Sequence, residues 1–354
     1  MNSRYRRMQI TELYVEGAFM KTLISISNDT IMNTFFTKDN ISLAHSLGET
    51  VFCGGRDSTS KEEFKRLISD CDLYVSCWGS PAIDGEILDC AKKLKLICHL
   101  GSTVAPIVQT DVWSRGVRVI SAHDYFSEST AEGAIAYMLA ALRNIPYYSE
   151  RLKKDKIWSL EGDATDGLIY KTVGLVSYGG VGRHVAKKLS VFNVNLKVYD
   201  VVDIPEAEKE KYGLTQCGIE ELFSTCDIIS LHTPYNDKTH HMVNDRLLSM
   251  IKPGALFVNT ARGGVVDQEA LTSHLQKGHF TAALDVYERE PIDTDDPLLS
   301  LDNVLMLPHQ GGVTTNLRRV LTKDLLTESR DFIDSGAPLK DEILPSYAKN
   351  MSKF

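Results

Sequence analysis

The sequence predicts an α/β protein made of two doubly wound parallel-sheet domains. Three observations predict it. Short apolar, β-rich runs alternate with helical patterns along almost the whole chain. One run opens directly into a glycine-rich turn and then a helix. The chain has 354 residues, more than a single hydrophobic core usually serves.

In the first series, Lys21–Ser27, Asp72–Trp78, Lys95–Leu100 and Val117–Ser121 read as strands. Between them, Asp84–Leu94 carries Ile87, Leu88, Ala91 and Leu94 at helical spacing, and Val104–Trp113 reads as another helix. Alternation of this kind implies a parallel sheet covered by helices on both faces. The second series begins at Thr172. Its strands fit Val173–Val176, Leu196–Asp200, Asp227–His232, Ala255–Thr260, Ala282–Val286 and Val304–Leu307. Its helices fit Val181–Phe192, Ile219–Ser224, Asp245–Met250 and Gln268–Gln276. Six strands in that order describe a Rossmann-type dinucleotide domain. Ser129–Tyr148, rich in Ala and Leu, reads as a helix linking the two series. Leu317–Ser335 reads as the helix that returns the chain to the first. The first domain, flavodoxin-like, is then discontinuous: residues 20–122 and 313–354, with 123–312 forming the Rossmann domain and two crossings acting as a hinge. Residues 1–19 are expected to be an extension outside the fold.

Composition narrows the function. The formal net charge is −8, which disfavours nucleic acid and anionic membranes as partners. No apolar run reaches the roughly 18–20 residues a membrane helix needs, and Met1–Glu16 lacks the apolar core of a secretory signal. The seven cysteines form no C-x-x-C pair, so buried, reduced thiols in a cytoplasmic protein are expected. His240 and His241 are adjacent; their side chains are expected to diverge, and no metal site is expected.

After Val173–Val176 comes Ser177-Tyr178-Gly179-Gly180-Val181-Gly182. Gly179 and Gly182 fill the second and third positions of a Gly-x-Gly-x-x-Gly fingerprint, and Ser177 stands at the first. Such a turn lets pyrophosphate approach the backbone and meet the free N–H groups of a helix N-terminus. Asp200, ending the next strand, suits the hydroxyls of adenosine ribose and would repel a 2′-phosphate, so the expected cofactor is NAD.

Three further segments carry chemistry: Val258-Asn-Thr-Ala-Arg-Gly-Gly-Val-Val-Asp267, Ala282-Ala-Leu-Asp-Val-Tyr-Glu-Arg-Glu-Pro291 and Leu307-Pro-His-Gln-Gly-Gly312. In this order they closely resemble the D-isomer-specific 2-hydroxyacid dehydrogenases, over roughly Asp72–Leu317. The resemblance implies an NAD-dependent oxidoreductase that interconverts a small 2-hydroxy acid and its 2-oxo acid. Arg262 would bind the substrate carboxylate or the oxygen at C2, with a planar fork that stays charged. His309 would exchange the hydroxyl proton, and Glu290 would fix its tautomer and balance its charge. The resemblance also places Asp285 near the nicotinamide amide, Thr260, Ala261 and Gly312 around the nicotinamide, and Thr233 and Pro234 along the cofactor. A homodimer is expected on the same ground.

The chain departs from the family in the loop that meets the substrate. Of a Gly-x-Gly pattern only Gly101 remains; Ser102 and Thr103 follow, and Trp78 stands on the opposite lip. Glyoxylate, hydroxypyruvate, pyruvate, longer 2-oxo acids and phosphorylated hydroxy acids all stay open as substrates. Glu290 argues against the formate dehydrogenases, which resemble a Gln–His pairing. An alternative on the same scaffold is an NAD(H)-sensing regulatory protein.

Overall fold

Apolar runs buried on both faces form two all-parallel sheets in the computed structural model, which describes residues 20–158 and 165–351. The expected extension, residues 1–19, lies outside the described residues. The first sheet holds β1 (Met20–Ser25), β2 (Gly48–Cys53), β3 (Leu73–Ser76), β4 (Leu96–His99) and β5 (Arg118–Ser121), in the order β2-β1-β3-β4-β5. The second holds β6 (Thr172–Val176), β7 (Asn195–Tyr199), β8 (Leu214–Gln216), β9 (Ile228–Leu231), β10 (Leu256–Asn259), β11 (Thr281–Leu284) and β12 (Val304–Met306), in the order β12-β11-β10-β9-β6-β7-β8. Both orders reverse direction beside their first strand, the switch point at which doubly wound sheets bind ligands. Every residue of β3, β4, β9 and β10 is buried, as strands covered on both faces require. Two apolar clusters cover the faces of each sheet.

Several elements differ from the sequence expectation. β2 and β8 are additional: β2 is only partly buried and alternates weakly, and β8 has three residues at the sheet edge. The second sheet therefore has seven strands rather than six. Val104–Trp113 is not a helix. Val104, Ile107 and Val112 are buried with helix-like spacing, but Pro106 interrupts, and the backbone closes turns on the Val104 carbonyl and bridges Val108 to Ile83. The linking helix runs from His123 to Leu142 and stops before Asn144, whose φ of 49° turns the chain into a second helix, Ile145–Lys154. His240 and His241 do not diverge. A left-handed φ of 48° at His241 stacks the two rings with centroids 3.9 Å apart, and His241 pairs with Glu288 at 2.7 Å.

The helix His123–Leu142 crosses between the two bodies. Ala122 just before it lies in the core of the first sheet, whereas Ala131, Ala134 and Met138 lie in that of the second. It is tied to Gly180–Leu189 by His184–Asp124 at 2.9 Å and Lys188–Glu128 at 3.1 Å. The chain returns at Val313, and Thr315–Ser335 buries Leu321, Leu325 and Leu326 in the first core.

Two local features follow from sterics. Ser177, standing at the first fingerprint position, has φ 84°, the left-handed region that favours glycine. Its hydroxyl reaches Asp200 Oδ2 at 3.3 Å and its N–H donates to the Tyr199 carbonyl at 2.7 Å, which holds the turn. His99, ending β4, sits under Gly101, where a Cβ would stand 2.4 Å from its Nε2. Burial pushes the His99 imidazole down to about 4 and that of His232 to about 3.

These features set two outcomes. Both imidazoles are neutral when folded and protonate when unfolded, so their contribution is complete above about pH 6.5 and is lost as pH falls towards 4. At pH 5 each should cost about 2 kcal/mol relative to pH 7, read by urea unfolding; a stability that does not fall over this range contradicts their burial as neutral rings. At position 177, Ser177→Gly should be more stable than Ser177→Ala by about 1 kcal/mol, because only glycine relieves the left-handed backbone. The reverse order would contradict that conformation.

Candidate functional site

The carboxyl ends of β10, β11 and β12 converge on one crevice, and each delivers one loop. The first loop follows β10. Asn259 braces it: its Oδ1 accepts the Ala261 N–H at 3.0 Å, and its Nδ2 donates to the Arg262 carbonyl at 3.2 Å. Gly263 and Gly264 follow because neighbours leave no room. A Cβ on Gly263 would stand 1.9 Å from the Tyr287 carbonyl, and one on Gly264 2.7 Å from the Tyr235 ring. Gly263 thus presses the Arg262 turn onto the loop after β11, and Gly264 presses it onto Tyr235 in the loop after β9. Arg262 is partly buried and one of its Nη groups donates to the Ala261 carbonyl at 2.7 Å. Burial lowers its pKa, and the charge of Glu290 works against that shift; the guanidinium remains a cation.

The second and third loops are fastened together. Tyr287 Oη donates to the carbonyls of Leu284 at 3.1 Å and Leu307 at 2.9 Å, so one phenol bridges the ends of β11 and β12. Asp285 is 1% exposed and receives the backbone N–H of Gln310 at 2.7 Å and of Gly311 at 2.8 Å. Burial raises its carboxyl, and the two N–H donors pull the other way. The Asp285 carbonyl accepts from His309 N at 2.9 Å. His309 has φ 54°, a strained conformation that this anchoring sustains. Its Nδ1 lies 2.6 Å from Glu290 Oε2, while Glu290 Oε1 accepts the Tyr287 N–H at 3.0 Å. An imidazole engaged at Nδ1 by a carboxylate has Nε2 left for a substrate. Arg262, Glu290 and His309, picked from three separate segments, therefore share one crevice.

The dinucleotide turn stands at the adjacent switch point. Gly182 packs against the Ser177 carbonyl, where a Cβ would come within 2.3 Å, while Gly179 faces open space. Gly180 and Val181 begin the helix Gly180–Leu189. Asp200 Oδ2 accepts the Tyr178 N–H at 2.6 Å and Oδ1 the Val202 N–H at 2.9 Å, so its carboxylate is fixed beside the turn. Thr233 is buried, with its hydroxyl on the Val176 carbonyl at 3.2 Å; Pro234 is exposed. Thr260 and Ala261 are buried, and Gly312 accepts the Ser129 hydroxyl at 3.1 Å. A nicotinamide dinucleotide fits what this crevice offers: an open glycine cradle at a helix N-terminus, and buried polar groups of Thr260, Ser127 and His232 that no protein group satisfies.

In the first domain, Gly101, Ser102 and Thr103 follow β4. The Ser102 hydroxyl lies 3.1 Å from His123 Nδ1, so it is committed to the linking helix. Trp78 is 37% exposed, packs edge-on against Phe35 and Phe126, and lies under the Arg318 guanidinium at 4.9 Å. Sequence reasoning missed Asn259, Tyr287 and the Asp285–loop anchor. All three lie within the quoted segments, but their work is done on backbone atoms brought near only by folding. Among the described residues, no group of three or more His, Cys, Asp or Glu stands together to hold a metal, all seven cysteines are free, and no helix is long and apolar enough to cross a membrane.

Known proteins resemble this chain in sequence and in fold. The family "D-isomer specific 2-hydroxyacid dehydrogenase, NAD binding domain" matches residues 135–311. The chain is 36% identical to D-3-phosphoglycerate dehydrogenase of Methanocaldococcus jannaschii, over 80% of this chain and 53% of that one. It is 34% identical to glyoxylate reductase of Korarchaeum cryptofilum, over 73% of this chain and 79% of the relative. It thus spans about half the length of the former. The crystal structure of a glyoxylate reductase from Paecilomyes thermophila superposes with TM-score 0.74, covering 92% of this chain and 99% of that one at 24% identity, a likeness of fold. On sequence, the chain belongs to the D-isomer-specific 2-hydroxyacid dehydrogenase family, whose dinucleotide-binding domain it carries.

Proposed function

We propose that this protein interconverts a small D-2-hydroxy acid and its 2-oxo acid with NAD, and that His309 is the acid and base. The observation that carries the proposal is the 2.6 Å contact of His309 Nδ1 with Glu290, beside Arg262, at the carboxyl edge of the second sheet. Bound nicotinamide supplies or accepts the hydride at C2. Arg262 holds the substrate carboxylate or the C2 oxygen with charge-assisted hydrogen bonds. As C2 is reduced its oxygen gains alkoxide character, and His309 delivers a proton to it from Nε2; in oxidation His309 takes that proton back. Glu290 keeps Nδ1 protonated, which fixes the tautomer, and balances the charge on the ring. Asp285 acts beneath them by holding the Gln310 and Gly311 amides, and with them the backbone of His309.

Gly101, Ser102 and Thr103 offer backbone N–H groups to the substrate, and Trp78 walls its far side. Asp200 favours NAD over NADP by repelling a 2′-phosphate. The substrate domain comprises residues 20–122 and 313–354, the cofactor domain residues 123–312, and the crossings at 122–123 and 312–313 allow closure over the substrate. A cytoplasmic homodimer is the setting we infer from the family. Glyoxylate heads the candidate substrates, because the glyoxylate reductase relative is matched over most of its length.

The test is a panel of 2-oxo acids with NADH and with NADPH. Oxidation of NADH by at least one acid is expected; tight NADH binding without turnover by any would favour a sensing role instead. His309→Ala should lower kcat by about 10²–10⁴-fold with little change in NADH affinity. Turnover kept within a few-fold would remove His309 from the chemistry. Asp200→Asn, which keeps the shape and removes the charge, should raise the ratio of kcat/KM for NADPH over NADH at least about tenfold. An unchanged ratio contradicts the place given to Asp200.

A further inference from the structure

The first turns of the helix His123–Leu142 carry two side chains that the chemistry above does not use. Ser127 is 2% exposed, and its hydroxyl has no hydrogen-bond partner. A buried hydroxyl without a partner is costly, so it points to a ligand that completes it. It is aimed at the dinucleotide turn: a Cβ on Gly180 would stand 2.5 Å from Ser127 Oγ and 2.9 Å from His123 Nε2. The linking helix therefore occupies the space that a side chain at 180 would take. That space borders the N-terminus of Gly180–Leu189, a ten-residue helix with no side-chain cap and free N–H groups.

His123 lies one turn earlier and uses both ring nitrogens. Nδ1 is 3.1 Å from Ser102 Oγ, and Nε2 is 2.6 Å from Tyr347 Oη. The Ser102 carbonyl in turn accepts from Ser121 Oγ at 3.1 Å. One hydrogen bond thus joins His123, which packs beside the glycine turn, to the loop after β4.

We propose that this part of the linking helix reads the bound dinucleotide. Ser127 is a cofactor-binding residue whose hydroxyl donates to the pyrophosphate, and His123 is a positioning residue that passes the seating of the cofactor to the Ser102 loop. The second half rests on the assignment of Gly101, Ser102 and Thr103 to the substrate. Its consequence is a thermodynamic coupling: each ligand tightens the other by the same factor.

NADH is titrated by its fluorescence with and without oxamate, an unreactive 2-oxo acid analogue, in the wild type and in Ser127→Ala, His123→Gln and Ser102→Ala. Oxamate should tighten NADH at least about fivefold in the wild type. Ser127→Ala should weaken NADH about tenfold and keep the oxamate factor, as loss of one phosphate contact implies. His123→Gln should bring the factor close to one at saturating oxamate, with NADH affinity in the absence of oxamate within a few-fold of wild type; Ser102→Ala, in the substrate loop itself, should also bring the factor close to one. Thermal unfolding with and without NADH checks that each variant is folded. Wild-type NADH affinity in Ser127→Ala overturns the phosphate contact. A factor retained in both His123→Gln and Ser102→Ala overturns the link. A wild type that neither reduces 2-oxo acids nor responds to oxamate overturns the substrate assignment and the link with it, while the Ser127 contact is decided by NADH affinity alone.

Discussion

The site depends on how closely two loops approach. The turn after β10 lies so near the loop after β11 that Gly263 has no room for a side chain against the Tyr287 and Glu288 backbone. This approach brings Arg262 beside Glu290, and the carboxylate of Glu290 holds the His309 ring in the same crevice. Replacing the glycine would cost more than a steric clash: it would move the guanidinium away from Glu290 and His309, the groups with which it is proposed to act. The Thr-Ala-Arg-Gly-Gly stretch is therefore one device, in which the arginine supplies charge and the glycines supply position.

A second layer holds these groups still. Tyr287 joins the ends of β11 and β12 through two carbonyls, and the Asp285 carboxylate gathers the two amides that follow a strained His309. Tyr287 and Asp285 are buried, so losing either set of hydrogen bonds would leave a polar group unsatisfied in a medium of low dielectric. The side chains proposed to be catalytic are more open, with His309 48% and Glu290 35% exposed in their side chains. A rigid floor beneath an accessible pair suits a reaction in which a substrate must enter and a proton must be exchanged.

Much of this was legible from residue order alone, and the limits have physical causes. Strands β3, β4, β9 and β10 are buried on both faces, so their apolar runs stand out; β2 and β8 lie at sheet edges and carry little apolar signal. Val104–Trp113 showed helical spacing because its apolar residues fill one face of a packed irregular segment, which periodicity cannot separate from a helix. Arg262, Glu290 and His309 were legible because the segments around them are distinctive. The bracing by Asn259, Tyr287 and Asp285 was not, because it acts on backbone atoms distant in sequence. Ser177 stands at the first fingerprint position in place of glycine, and its left-handed backbone shows that the serine adopts the conformation glycine would take there. The adjacency of His240 and His241 suggested divergence, and a single positive φ reversed that geometry.

The central claim is that Glu290 holds His309 as the Nδ1–H tautomer, with Nε2 left for the substrate oxygen. An isolated neutral imidazole chooses its tautomer by the partner each nitrogen finds. Long-range 1H–15N correlation spectra of histidine-labelled protein at alkaline pH report that choice directly. The account requires Nδ1 of His309 to appear as the protonated nitrogen in the wild type and to lose that preference in Glu290→Gln. A wild-type His309 carrying its proton on Nε2 would contradict it.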